Sequence, residues 1–330
     1  MSRKRKPKYI RIFVLTLFIV FLANGAYKTA SNFLPFILSR PFRGISSPLR
    51  GPQSQDSSPA GIKEPISLNS IKEELYSPYA ILIRLKDNKV AFRTRSEERI
   101  YPASLTKIMT AIIAMENISD LKESVILPEN IFPSLYAANA SMAGFLPGEK
   151  VTVIDLLYGT LLPSGADASM GLALRVSGSE DEFVKLMNKK AKQLGMNDTH
   201  FTNVCGLYDD NHYTTVKDIS VLLEYALKNK TFREVFTSAR HSTAGTNMHP
   251  DGITYYSTMF EKMDTYEFDG GRILGGKTGY TRESGLCLAS LAEKNGNEYI
   301  LITAGAPGDH LTKQYHIMDA FMVYGKYLKK

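Results

Sequence analysis

The sequence contains no tryptophan, only two cysteines, and six histidines with no H-E-x-x-H spacing among them. Missing that helix-borne ligand pair, it offers no sequence sign of a zinc hydrolase, and no metal or other cofactor is expected. His200, His212, His241, His249 and His316 each stand alone and read as structural or surface residues. Two cysteines allow at most one bridge, between Cys205 and Cys287, in an oxidising compartment. Cys287 lies in an apolar run and reads equally well as a buried thiol. The lack of tryptophan beside 18 tyrosines discriminates no function. There is no internal repeat. No uninterrupted apolar run reaches the roughly 20 residues that a spanning helix needs. Ile12 to Ala23, apolar apart from Thr16, falls short of it.

Acidic residues are also too few to balance the basic ones, 33 against 40, for a net charge of +7. Much of the excess sits in Arg3, Lys4, Arg5, Lys6, Lys8 and Arg11, directly before that apolar segment. So placed, it specifies membrane topology, and no nucleic-acid partner is expected. Residues 1–43 read as a basic cytoplasmic N-terminus with a signal-anchor or a cleaved signal peptide. Asn24-Gly25-Ala26 is a mediocre cleavage site, which favours retention, and Phe33 to Leu38 could rest on a membrane surface. Residues 44–68 form a stalk, whose 44–65 stretch is rich in Ser, Pro, Gly and Gln. Residues 69–330 then make the folded domain, placed outside the cytoplasm.

A chain of 330 residues that is 44% hydrophobic can bury a substantial core. Tyr79 to Leu85 and Val90 to Arg93 flank Asp87-Asn88-Lys89 as a hairpin. Residues 153–162, 170–176, 180–194 and 215–227 carry helical patterns, and Gly195 stops the third. Leu286 to Ala292 and Tyr299 to Ala304 flank Asn295-Gly296, a strong hairpin signal. Leu311 to Leu328 closes the chain as a helix. Strand pairs at both ends around a helical middle predict an α+β fold, an antiparallel sheet flanked by helices with a mainly helical subregion.

Chemistry concentrates at Tyr101-Pro102-Ala103-Ser104-Leu105-Thr106-Lys107, which opens the apolar run Ile108 to Met115. In the first turn of a helix, Ser104 and Lys107 share a face. A serine needs a base, and a lysine can be one if burial or neighbouring cations depress its pKa. Ser-x-x-Lys alone fits a capped helix with a solvated lysine equally well. Two later features change that reading, Ser164-Gly165 and then Lys277-Thr278-Gly279. That ordered set is the signature of serine penicillin-recognising enzymes. The phrases YPASLTKIMTA, PGEKVTVIDLLYGTLLPSGADAS and GGKTGYTRESG resemble the D-alanyl-D-alanine carboxypeptidases, the low-molecular-mass penicillin-binding proteins. The resemblance covers about residues 70 to 325.

That resemblance implies a β-lactamase/D,D-peptidase-like fold, with Ser104 as nucleophile, Lys107 as its base and Ser164 passing a proton to the leaving amine. It further implies that Lys277 tunes this network and that Thr278 meets the substrate's terminal carboxylate. Gly279 would make room on the strand, and the N–H of Tyr280 would join that of Ser104 in the oxyanion hole. The implied partners are peptidoglycan stem peptides ending in D-Ala-D-Ala, β-lactams as covalent inhibitors, and a membrane held through the N-terminus.

The chain departs from the family twice. Ala166 stands where an asparagine is usual, so an Asn restored there would either rescue an interaction or clash with a rebuilt loop. Residues 305–313 hold no arginine for the carboxylate, leaving His310 or Lys313 as substitutes. Asp167 is not expected to replace the missing amide. A β-lactamase would need a Glu-x-x-x-Asn loop, and none lies between Ser164 and Lys277. A transpeptidase, a weakly active or inactive wall-binding or morphogenetic homologue, and a β-lactamase remain as alternatives.

Overall fold

A computed structural model describes residues 74–328. The basic N-terminus, the apolar segment and the 44–65 stalk lie outside the described residues. β1 (Tyr79–Arg84) and β2 (Lys89–Thr94) form the first hairpin, turned by Asn88 at φ 54°. Next comes α1 (Lys107–Asn117), then β3 (Ser124–Ile126), α2 (Phe132–Ala137) and β4 (Lys150–Thr152). The helical middle continues with α3 (Val153–Leu161), α4 (Ala166–Ser177), α5 (Glu180–Gln193), α6 (Val216–Ala226) and α7 (Lys230–Thr237). A small hairpin follows, β5 (Arg240–Ser242) with β6 (Thr254–Tyr256). β7 (Glu267–Phe268), β8 (Gly271–Thr281), β9 (Gly285–Lys294) and β10 (Asn297–Ala306) precede α8 (Tyr315–Met322).

The main sheet runs β2-β1-β10-β9-β8-β7, with every pairing antiparallel. β9 turns into β10 through Asn295 at φ 50° and Gly296 at φ 72°, the left-handed pair that a two-residue hairpin loop requires. Both faces of the sheet are covered, which is why its strands read as unbroken apolar runs. Ile81, Ile83, Ile300 and Ile302 face the helical layer, while Ala80, Leu82, Leu301 and Leu288 pack with Ile317 and Tyr324 on the other side. α1 is buried from Lys107 to Ala114, so it is the central helix of the helical layer and explains an apolar run too continuous for an amphipathic one.

Three boundaries differ from the sequence reading. α4 begins at Ala166 rather than at residue 170, because Gly165 serves as its cap. Ser104 sits in a 3₁₀ turn, Ala103–Thr106, that feeds α1. α8 starts at Tyr315, not Leu311, because Asp309 accepts from the N–H groups of Leu311 (2.8 Å) and Thr312 (3.1 Å) and holds a turn there. Beside α8, Asp319 accepts from the N–H groups of Tyr76 (2.9 Å) and Ser77 (2.8 Å), fixing where the chain enters the domain.

Candidate active site

Ala103 holds a left-handed φ of 47°, uncommon for a residue with a Cβ, immediately before Ser104. Gly206 presses on that turn, and a Cβ there would lie 1.8 Å from the Ala103 carbonyl oxygen. The loop bearing Gly206 is shaped by Asn203, whose Oδ1 accepts from the N–H groups of Cys205 (3.2 Å), Gly206 (2.7 Å) and Leu207 (3.1 Å). Lys107, three residues beyond Ser104 on the same face, donates to the Cys205 carbonyl (2.7 Å) and to Ser104 Oγ (3.2 Å). It is 2% exposed, and that desolvation lowers its pKa to about 8. His212 braces the turn from behind, its Nε2 2.8 Å from Thr106 Oγ1 while Nδ1 accepts from Thr202 N at 3.0 Å. That pairing assigns the proton to Nε2, and burial pushes the imidazole pKa down to about 4, keeping it neutral.

Ser164 lies between α3 and α4 at φ 67°, with a buried hydroxyl that has no protein partner. A buried hydroxyl left unpaired is costly unless a ligand or a proton relay uses it. Gly165 permits the tight approach of the preceding wall, since a Cβ would meet that of Ala143 at 2.6 Å. Ala166 is fully buried and donates its N–H to the Ser141 carbonyl at 2.7 Å. Asp167 is fully buried and gives its carboxylate to backbone N–H groups. It accepts from the N–H groups of Ala143 (2.8 Å), Gly144 (3.1 Å) and Phe145 (3.1 Å), and so clamps the loop that carries Ser141.

β8 supplies the opposite wall. Lys277 is fully buried and donates to the Thr278 carbonyl at 2.7 Å. Burial first, and Lys107 second, hold its pKa well below the usual lysine range. Thr278 Oγ1 shares a hydrogen bond with Thr258 Oγ1 at 2.6 Å. Gly279 needs its missing side chain, because a Cβ would stand 3.1 Å from the backbone nitrogen of Ser104.

These walls enclose a cleft of about 100 Å³, lined by Ser104, Ser141, Ser164, Thr278, Gly279 and Tyr280. Lys107 and Lys277 lie buried behind it. Glu261, Lys262, His310, Gln314 and His316 line it as well. His310 meets the Tyr280 ring edge-on, with centroids 4.9 Å apart. Of the two expected substitutes for the absent arginine, His310 therefore lines the cleft and Lys313 does not. His316, which the sequence left as a lone structural histidine, lines it too. Its Nδ1 is buried without a partner, and burial lowers its pKa to about 4. Its only sequence signal was a polar residue on the inner face of the last helix. Cys205 and Cys287 are both buried free thiols.

A hydroxyl beside a desolvated amine, a second unpaired hydroxyl and a strand edge with room for an extended peptide together suit acyl transfer. Residues 67–308 match the family profile described as D-alanyl-D-alanine carboxypeptidase. The chain is 36% identical over 240 residues to D-alanyl-D-alanine carboxypeptidase DacF of Bacillus subtilis, covering 69% of this chain and 57% of that one. It is 29% identical over 250 residues to DacC of Escherichia coli, covering 70% and 57%. The crystal structure of the Streptomyces K15 DD-transpeptidase superposes with a TM-score of 0.68 at 27% identity, covering 77% of this chain and 98% of that one. The chain thus spans little more than half the length of the Bacillus and Escherichia relatives.

Proposed function

The chain belongs to the D-alanyl-D-alanine carboxypeptidase family, and from that premise we propose that it is an exported serine D,D-carboxypeptidase acting on peptidoglycan stem peptides. The observation that carries this reading is the 3.2 Å contact between Ser104 Oγ and a Lys107 amine desolvated to a pKa of about 8. Neutral Lys107 takes the Ser104 proton as Oγ attacks the carbonyl carbon of the penultimate D-alanine. The tetrahedral intermediate collapses by breaking the C–N bond, and the leaving D-alanine receives a proton through the Ser164 hydroxyl. Water activated by the same amine then hydrolyses the acyl-enzyme. Thr278, with His310 and His316, receives the terminal carboxylate. Burial keeps the His316 imidazole neutral, so it gives a hydrogen bond without the full charge an arginine would bring. β-Lactams acylate Ser104 by the same attack. The enzyme works outside the cytoplasm, tethered to the membrane through its N-terminus.

Release of D-alanine from diacetyl-L-lysyl-D-alanyl-D-alanine, together with labelling by a fluorescent penicillin, tests the reading. Both should vanish in a folded Ser104→Ala protein, and labelling that persists there would sink it. Penicillin labelling without turnover would favour a wall-binding homologue instead. The near-complete coverage of a DD-transpeptidase supports a second reading, transfer to an amine. A D-amino acid added to the assay would then divert product from hydrolysis.

A further inference from the structure

Two tyrosines stand at the turn that carries Ser104 and take no part in acyl transfer. Tyr101 lies three residues before Ser104, and Tyr208 two residues after Gly206, which presses on Ala103. Their rings meet edge-on, with centroids 5.0 Å apart and planes at 73°. Tyr208 is 46% exposed, and its hydroxyl donates to the Asp210 carboxylate. Asp209, Asp210 and Asn211 beside it are exposed as well. The loop under them is fixed, since Asp209 accepts from the N–H groups of Asn211 (2.8 Å) and His212 (2.9 Å). A single exposed ring needs no explanation. Two rings set as a corner beside a nucleophile, with hydrogen-bonding side chains at their edge, form a contact surface.

The carboxypeptidase reading, on which this inference rests, gives the pair a place along the substrate. Of residues 100–104 and 203–211, Ser104 alone lines the cleft. The groups assigned to the leaving carboxylate, Thr278, His310 and His316, come from other segments, which leaves the acyl-donor side to the tyrosines. Neighbouring Cα atoms are about 3.8 Å apart, so Tyr101 stands within about 11 Å of Ser104. The four stem residues before the bond that is cut span roughly 14 Å when extended. Their far end, where the stem joins an amino sugar of the glycan strand, therefore comes level with the two rings.

We propose that Tyr101 and Tyr208 form a sugar subsite, which makes the chain selective for stems still attached to glycan. A pyranose ring presents C–H bonds on its faces and hydroxyl or acetamido groups at its edge. The electron-rich face of a tyrosine suits the C–H bonds. At the edge, Asp209 offers carboxylate acceptors, and Asn211 offers both a donor and an acceptor. A side-chain amine of the stem is the competing occupant, drawn to Asp209 and Asp210. Its contribution would already appear with a sugar-free pentapeptide, whereas that of the sugar would not.

The test measures D-alanine release by the purified full-length protein from three substrates ending in D-Ala-D-Ala. They are the diacetyl-L-lysyl tripeptide, the free pentapeptide stem, and the pentapeptide carrying its disaccharide. The disaccharide should raise kcat/KM at least tenfold over the free pentapeptide. Tyr208→Ala should erase that gain and leave both sugar-free substrates within twofold, while Tyr208→Trp should keep most of it. Equal rates with and without sugar in the wild type overturn the subsite. Equal losses on all three substrates in folded Tyr208→Ala protein overturn it as well, because the ring then only supports the Ser104 turn. A loss already present with the free pentapeptide but not the tripeptide gives the pair to the stem's amine instead. Calorimetry on the Ser104→Ala protein separates this inference from the carboxypeptidase reading, since it needs no turnover. The disaccharide pentapeptide should bind it at least tenfold more tightly than the free pentapeptide, and equal affinities overturn the subsite even where D-alanine is released. If no substrate is turned over, the carboxypeptidase reading falls and the calorimetric comparison decides the sugar subsite. The same comparison decides it if Tyr208→Ala does not fold.

Discussion

Burial moves Lys107 towards the neutral amine that a base must be, and it does so at a cost that can be measured. Unfolded, the lysine keeps its proton up to about pH 10.5, whereas folded it loses it near 8. Between those values the unfolded state binds more protons, so this group's contribution to stability rises with pH. Below pH 8 the full penalty stands, on the order of 3 kcal/mol. Two measurements follow at this scale. The acylation rate of Ser104 should climb with pH and level off above about 8, and a flat profile from pH 6 to 10 would move the base elsewhere. Urea unfolding should show wild type gaining on Lys107→Met between pH 8 and 10.5, by roughly 1.4 kcal/mol per pH unit. A constant gap would mean that the amine is not desolvated.

Ala166 is the residue where the family's usual chemistry is missing. It is fully buried, its N–H is fixed to Ser141, and Lys107 already has two acceptors. An amide there has no open space to enter, so Ala166→Asn should overpack the junction of α3 and α4, costing about 1–3 kcal/mol of stability. Acylation should fall about tenfold with it. A tenfold gain would instead reveal room for a charge-assisted hydrogen bond, worth roughly 1.5–3 kcal/mol. Ser141, whose hydroxyl lines the cleft from a loop 25 residues earlier, could not be connected with Ala166 from sequence, because only the folded chain brings them together.

At the scale of elements, what was legible is what repeats locally. Ser104 and Lys107 share a face because three residues are about one turn, whether that turn is 3₁₀ or α. Asn295-Gly296 announced its hairpin because few other residues accept two successive positive φ values. The turn that carries Ser104 was not legible as a whole, since it is held from outside. Asn203, Gly206 and His212 shape and press upon it from a loop a hundred residues downstream, and no local pattern reports that. His212 makes this brace acid-sensitive. Its folded pKa of about 4 lies below the ordinary 6.5, so the unfolded state binds the extra proton and stability falls as pH drops through that window. His212→Gln removes the titration. Its stability should therefore change less than the wild type's between pH 6.5 and 4, and parallel curves would sink the brace as an acid-sensitive element. At neutral pH the same variant should slow acylation, because the turn loses its support through Thr106.

The whole molecule brings its chemistry together from two layers. Ser104, Lys107 and Ser164 belong to the helical side and Lys277 to the sheet edge, so the site exists only when the layers are joined. That architecture also sets where the domain can begin. Asp319 is fully buried on α8, and its carboxylate accepts from the N–H groups of Tyr76 and Ser77. Burial alone would push its pKa up, and those N–H groups oppose that shift. A chain starting at residue 69 keeps both donors and should fold and release D-alanine from the soluble tripeptide at the full-length rate. That outcome would also assign residues 1–68 to tethering rather than catalysis. A chain starting at Tyr79 strands a buried carboxylate, whose desolvation penalty is about 1–3 kcal/mol or more. Its urea midpoint should fall accordingly, and Asp319→Asn in that shorter chain should recover part of the loss, because a neutral amide is cheaper to bury unpaired than a charge. Equal stability of the two truncated chains would place the true boundary after Ser77 and leave Asp319 with no part in closing the fold.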